Sequence, residues 1–167
     1  MLGWATKLLQ NRNHQVVSDV SDDYHVGEIR YSADLLNELD MQHQHLMQHY
    51  QDLVLILKNR KIALVKPLLQ QLYTEFKLHT MQENVRFFCY LERKHQDDAT
   101  VLNLLKQERK EAHQVSMQIS RFMRKWSTVE ITEQNLDALS EHFEQVGDLL
   151  KQRMHEEEQS LYPLYTQ

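Results

Sequence analysis

The segment Phe76-Lys77-Leu78-His79-Thr80-Met81-Gln82-Glu83-Asn84-Val85-Arg86-Phe87 places a histidine and a carboxylate four residues apart in a strongly apolar run. Residues at i and i+4 lie on the same face of an α-helix. Leu72 and Phe76 fall near that face, so we expect His79 and Glu83 to point into a protein core. Both side chains then need polar partners, because uncompensated burial of a polar group costs several kcal/mol.

The composition is that of a helical protein with a single core. The chain has 167 residues, of which only three are glycine and two are proline, and it is rich in helix-forming residues. A formal net charge of -5 gives no basic surface for nucleic acid. No apolar run approaches the roughly 20 residues that a transmembrane helix needs. The single cysteine, Cys89, excludes an intrachain disulfide framework and favours a cytoplasmic location.

Apolar residues recur at intervals of three and four along most of the chain, which is typical of amphipathic helices. Four such helices of similar length, joined by short turns, predict an all-α, up-down-up-down antiparallel four-helix bundle. The predicted limits are Ser32 to about Lys58, Pro67 (at or inside the first turn) to about Lys94, a third helix capped by Asp97 or Asp98, and a fourth after the link Ser127 to Thr132.

We predict two parts in the chain: an N-terminal arm, residues 1–30, and the bundle, residues 31–167. The arm opens with an amphipathic piece that carries Trp4, Leu8 and Leu9. It continues through an acidic, serine-containing stretch, Ser18 to Asp23, which is typical of a linker. The amphipathic piece could dock on the bundle, on a protein partner or on a membrane surface.

Each predicted helix also carries polar side chains on its apolar face. His43 lies about 14 residues before Leu57, and His79 about 12 residues after Pro67, which is roughly 21 Å and 18 Å of helix. Adjacent antiparallel helices therefore bring the two imidazoles to one level. By helical phase, His45, His49, His113 and His155 point away from the core, and in the run Glu156 to Glu158 only Glu157 points inward. The predicted inward polar residues are His43, His79, Glu83, Glu108, Glu111 (at the edge of its stripe), Arg153 and Glu157.

Such a layer carries more negative than positive charge, and we consider two remedies for the excess charge and one alternative to a metal site. Protons can neutralise the carboxylates by raising their pKa values. A divalent cation can bind, since mixed histidine and carboxylate ligands on facing helices suit iron or manganese. The layer can also be a purely structural network of Arg153, glutamates and histidines that fixes the register of the helices.

Residues 31–165 resemble a hemerythrin-like (HHE cation-binding) domain. The matching pieces are His43-Gln44-His45-Leu46-Met47-Gln48-His49-Tyr50, His79-Thr80-Met81-Gln82-Glu83-Asn84 with Phe87-Phe88, and Glu157-Glu158-Gln159-Ser160-Leu161-Tyr162-Pro163-Leu164. The resemblance implies a non-haem di-iron centre that binds oxygen, nitric oxide or peroxide. It also implies that His43, His79, Glu83 and Glu157 are ligands.

The sequence departs from the family pattern at two ligand positions. The histidine that the family has on the fourth helix falls on Arg153, which has no lone pair for a metal. On the third helix Glu108 and Glu111 lie where the family has an inward histidine. We therefore expect a carboxylate-rich site with iron, of one or two ions, or manganese, or a site that has lost its metal. Arg153 and Tyr50 are expected beside the ligands or in place of one.

A second resemblance supplies the alternative function. Val146-Gly147-Asp148-Leu149-Leu150-Lys151-Gln152-Arg153, followed by Glu157 and Glu158, is similar to the last helix of the Rsd/AlgQ anti-sigma regulators. That resemblance implies a metal-free helical bundle that acts by binding a protein partner. We find no nucleophile–base pair in the sequence, so an enzyme with a dedicated organic substrate is not expected.

Overall fold

A computed structural model of the chain describes residues 30–166, and the predicted N-terminal arm lies almost entirely outside them. The described residues form helices joined by short turns, with no strand among them. The helices are α1 (Leu35–Lys58), α2 (Ile62–Gln82), α3 (Cys89–Lys94), α4 (Ala99–Thr128), α5 (Leu136–Glu156) and α6 (Tyr162–Thr166). Two π-helical segments, Glu83–Phe88 and Glu157–Leu161, connect α2 to α3 and α5 to α6.

These elements make four bundle helices. The first is α1, the second runs from α2 through its π-helical segment to α3, the third is α4, and the fourth runs from α5 through its π-helical segment to α6. Each packs against the next one along the chain, and α5 packs back on α1. Short turns between neighbours make successive helices antiparallel. The predicted all-α, up-down-up-down bundle is confirmed.

The ends of the helices follow local chemistry. Asp98 caps α4, because its side chain accepts hydrogen bonds from the backbone amides of Thr100 and Val101 at 2.9 and 3.1 Å. Ser32, the predicted cap of the first helix, instead exchanges hydrogen bonds with the Tyr165 hydroxyl. Helix α1 therefore begins three residues later, at Leu35. Pro67 lies inside α2, not at its start.

One register prediction on the third helix was wrong. The spacing of the sequence predicts one inward stripe on this helix, made of Val101, Leu104, Glu108, Ala112, Val115, Ile119, Phe122 and Trp126. Leu104 is instead 40% exposed, whereas Leu105 is fully buried. The buried residues Ile119, Phe122 and Trp126 further along α4 fit the predicted stripe. A strict alternation of three and four drifts away from the true helical period over a helix of 30 residues. The error therefore appears near the start of α4, about four turns before the buried residues that fit the stripe.

The apolar core has two clusters with a polar layer between them. The smaller cluster contains Leu35, Leu39, Phe87, Phe88, Leu91, Leu105, Leu161 and Tyr165, and the larger one includes Leu46, Tyr50, Leu72, Phe76, Phe143 and Leu150. The buried polar residues of the described part of the chain are His43, His79, Glu83, Arg153 and Glu157; we call these five the polar layer. Within residues 30–166, no helix has the length and hydrophobicity that a bilayer crossing requires.

Candidate metal centre

Three side chains of the polar layer converge on one point. His43 from α1, His79 from α2 and Glu157 at the end of α5 each offer a ligand atom, and these atoms lie within 4.8 Å of one another. The imidazole centroids of His43 and His79 are 4.8 Å apart, so the prediction that they share one level is confirmed. Nε2 of His43 lies 3.2 Å from Oε2 of Glu157, although the two are not aligned for a hydrogen bond.

Both buried carboxylates stand at the start of π-helical segments. Glu83 is the first residue of Glu83–Phe88, and Glu157 is the first residue of Glu157–Leu161. Hydrogen bonds from i to i+5 widen the helix locally, and single π-helical turns are frequent at functional sites. The widened turn changes the phase of the residues that follow it.

One contact of Glu158 was not predicted from the sequence. Glu158 was expected to point to solvent, and its side chain is indeed 38% exposed. Its Oε1 nevertheless lies 3.0 Å from Nδ1 of His43, within hydrogen-bonding distance. Apolar periodicity could not predict this contact, because it joins two polar side chains on different helices.

Arg153 lies inside the layer and contacts three carboxylates. Its Nη1 donates to Oε2 of Glu108 at 2.8 Å, and its Nη2 lies 3.7 Å from Oε1 of Glu83. Its Nε forms a close ion pair with Glu157. Burial alone would lower the pKa of Arg153, but the charges of Glu157 and Glu83 outweigh it, so the pKa is raised. This guanidinium is the fixed positive charge of the layer.

The pKa values of the two buried glutamates shift in opposite directions. Burial and the neighbouring charge of Glu157 raise the pKa of Glu83 well above its ordinary value. Burial alone would also raise the pKa of Glu157, but contact with His43 and the charge of Arg153 lower it. Of the two carboxyl groups, Glu157 therefore loses its proton more readily than Glu83.

The two histidines also differ. Burial, together with the nearby His43, lowers the pKa of His79 to about 4, so His79 is a neutral imidazole at neutral pH. For His43, burial is outweighed by its contacts with Glu157 and Glu158, and the pKa is raised. Both raised pKa values, those of His43 and Glu83, act with the charge of Arg153 to reduce the net negative charge of the layer.

The donor set suits a single cation, because two imidazoles and one carboxylate are ligands that divalent transition metals accept. A small cavity of about 20 Å³ lies beside this donor set, on the side of Arg153, and His43 does not line it. His79, Glu83, Arg153 and Glu157 are among the residues that line it. A second cation bound between Glu83 and Glu108 would meet the guanidinium of Arg153, which already contacts both.

The remaining predicted site residues fall in different places. Glu108 reaches the layer only through Arg153, and its side chain is 14% exposed. Glu111 accepts a hydrogen bond from Gln107 at an exposed position. Tyr50 is buried in the larger apolar cluster, where its ring packs on Phe143 with centroids 4.9 Å apart. The structure thus brings neither Glu111 nor Tyr50 to the centre.

The histidines expected to point away do so, with one exception. His45, His113 and His155 are exposed. His49 is half-buried, and its Nδ1 lies 2.5 Å from Oε2 of Glu75, so it pairs with a carboxylate on the neighbouring helix.

Two further residues at the centre were not expected. The ring of Tyr162 is stacked on that of His43, with centroids 6.2 Å apart, and its buried hydroxyl has no hydrogen-bond partner. Oε1 of Gln42 lies 3.0 Å from Nδ1 of His79. Gln42 precedes His43 and lies beside the apolar stripe, so its position next to that stripe is the only sequence signal that could have identified it.

The comparisons with known proteins bear on all four bundle helices. A family model described as the hemerythrin HHE cation binding domain matches residues 34–165. Searches of curated proteins and of solved structures gave no significant match. The matched range contains every residue of the polar layer. The chain belongs to the hemerythrin HHE cation-binding domain family.

Proposed function

We propose that the bundle holds one non-haem iron ion between His43, His79 and Glu157, and that the protein senses or buffers oxygen, nitric oxide, peroxide or iron. The observation that carries this proposal is the approach of their ligand atoms to within 4.8 Å in a buried layer. Two histidines and one carboxylate with open positions form a common donor set for non-haem iron(II). Manganese accepts the same donors and is the alternative metal.

The roles of the ligands follow from their protonation. His79, with a pKa of about 4, is neutral near neutral pH and can bind a cation at once. The lowered pKa of Glu157 favours its ionised form, whereas the raised pKa of His43 favours a proton that the cation would displace. Glu158 would then accept a hydrogen bond from Nδ1–H of His43 and orient the ring, as carboxylates do for metal-bound histidines. When bound, iron supplies an open coordination position for a diatomic ligand or peroxide. A cytoplasmic location is part of this proposal.

The ligand assignment can be tested with matched alanine variants. After anaerobic reconstitution with iron(II), His79→Ala should take up no iron, because one of three ligands is gone. His155→Ala is the control, since His155 lies on the same bundle helix as Glu157 but is exposed. Iron uptake by His79→Ala equal to that of wild type, or loss of uptake in His155→Ala, would contradict the assignment.

A second candidate function is supported by the contacts of Arg153. The guanidinium contacts Glu83, Glu108 and Glu157. It therefore offsets part of the negative charge of the layer without any metal. On this alternative the chain is a metal-free interaction protein that resembles an Rsd/AlgQ-type regulator and binds a protein partner. A chelator should then leave the melting temperature unchanged, since nothing bound to the native state is removed. A fall in melting temperature on chelation favours the iron proposal instead.

A further inference from the structure

A chain of hydrogen bonds leads from the buried His79 to the protein surface. Nδ1 of His79 meets Oε1 of Gln42 at 3.0 Å, and Nε2 of Gln42 donates to Oε1 of Gln82 at 2.8 Å. Nε2 of Gln82 donates in turn to Oε2 of Glu38 at 2.8 Å. The same oxygen of Glu38 accepts from Nη1 of Arg86 at 2.5 Å. We call Glu38, Gln82 and Gln42 the amide relay.

The relay has a direction, and the carboxylate at its outer end sets it. Ionised Glu38, paired with Arg86, can only accept hydrogen bonds. Gln82 must therefore turn its NH₂ group toward Glu38 and its oxygen toward Gln42. Gln42 must then turn its NH₂ group toward Gln82, which leaves its oxygen facing Nδ1 of His79. Reversing either amide would set two acceptors against each other.

We propose that Glu38, acting through the amides of Gln82 and Gln42, holds neutral His79 as the tautomer with its proton on Nδ1. Gln42, Gln82 and Glu38 are thus positioning residues for His79. Nε2 becomes the one nitrogen of the ring with a free lone pair, and so the only one that can bind a cation. This consequence for metal binding rests on the proposed function, whereas the tautomer itself does not.

The relay differs from the partner of the other histidine. His43 has a carboxylate directly on its Nδ1, from Glu158, whereas His79 reaches its carboxylate through two neutral side chains. Glu38 is 41% exposed and Arg86 is 40% exposed at the far end. A substitution of Glu38 at the surface of α1 can therefore change the hydrogen bonding of the His79 ring on α2, while all five residues of the polar layer keep their identity. Loss of the outer hydrogen-bond partner of a metal-binding histidine typically lowers metal affinity by about 10–100-fold.

The tautomer can be measured by ¹⁵N NMR of the imidazole nitrogens in metal-free protein at neutral pH. Wild type should show His79 with a protonated Nδ1 and an unprotonated Nε2. Gln42→Leu removes the acceptor and should abolish that pattern, and Gln42→Glu, which keeps an acceptor at the same place, should restore it. Wild type with the proton on Nε2, or Gln42→Leu with an unchanged pattern, would overturn the proposal.

The outer end of the relay needs its own pair of variants. Glu38→Gln replaces an obligatory acceptor with a group that can also donate, so the two nitrogen signals of His79 should move toward each other. Asp52→Asn is the matched control, because Asp52 lies on α1 and bonds to Gln48, away from the relay. Unchanged signals in Glu38→Gln would overturn the role of Glu38. A relay-dependent tautomer in a protein that takes up no iron would refute the proposed function and leave the relay intact.

Discussion

Arg153 has opposite effects on the two candidate functions: it disfavours a metal centre and it stabilises a structural network. A metal centre is weakened by it, because a fixed positive charge offsets the carboxylates that would hold a cation. A structural network requires it, because Arg153 is the cation paired with Glu83 and Glu108, and without it Glu157 would keep only His43 as a basic partner. Helical phase alone predicted that Arg153 points inward, since it shares the face of Leu150 and Glu157.

Replacing Arg153 with histidine distinguishes a metal centre from a structural network. Arg153→His places a ligand where the family has one, so iron affinity should rise, and a second ion could bind. Breaking a buried ion pair from one side costs roughly 3–5 kcal/mol, so the metal-free variant should also be less stable than wild type. Metal content and denaturant unfolding measure the two effects. A variant that neither gains iron nor loses stability would show that the polar layer does not depend on Arg153.

The protonation of the layer predicts how metal binding depends on pH. Among the three proposed ligands, His43 has a raised pKa, so a proton on His43 competes with the cation over a wider range of pH than for a free imidazole. Iron affinity should therefore increase as the pH rises and decrease as it falls. His79, with a pKa of about 4, is already unprotonated and adds nothing near neutrality. Titration calorimetry in buffers of different ionisation enthalpy should detect released protons, and binding without proton release would contradict this protonation scheme.

At the scale of the elements, the sequence predicted the helices better than it predicted their irregularities. Apolar periodicity identified four helices and the inward positions of His43, His79 and Glu83, because burial follows the helical face. It did not predict the π-helical turn at Glu157, nor the contact between Glu158 and His43. The amide relay was also missed, since contacts between polar side chains at the edge of two helices leave no trace in an apolar pattern.

Helix packing makes Gly147 a sensitive position. A Cβ atom at Gly147 would overlap the ring of Tyr50 across the contact between α5 and α1. That residue is 6% exposed and its ring packs on Phe143, so moving the ring aside disturbs this packing. Gly147→Ala should therefore destabilise the protein by about 1–3 kcal/mol. Denaturant unfolding measures the loss, and the added change Tyr50→Leu should recover part of it. An unchanged unfolding midpoint for Gly147→Ala would show that this contact is loose.

At the scale of the bundle, two apolar clusters enclose a polar layer whose carboxylates already have a basic partner in Arg153. The bundle should therefore fold before it binds a cation, unlike small domains that depend on metal to fold. Composition and periodicity predicted this architecture, because a chain with few glycines and four apolar stripes has few other ways to bury them. The division at residue 30 and the role of the N-terminal arm stay predictions.

The central claim is that His43, His79 and Glu157 together bind one metal ion. The most direct measurement is the iron content of the wild-type protein after anaerobic reconstitution with iron(II) and removal of unbound metal. The geometry predicts about one equivalent per chain, because three ligands converge on one point and Arg153 fills the neighbouring position. An iron content below about a tenth of an equivalent, with no uptake of manganese either, would contradict it.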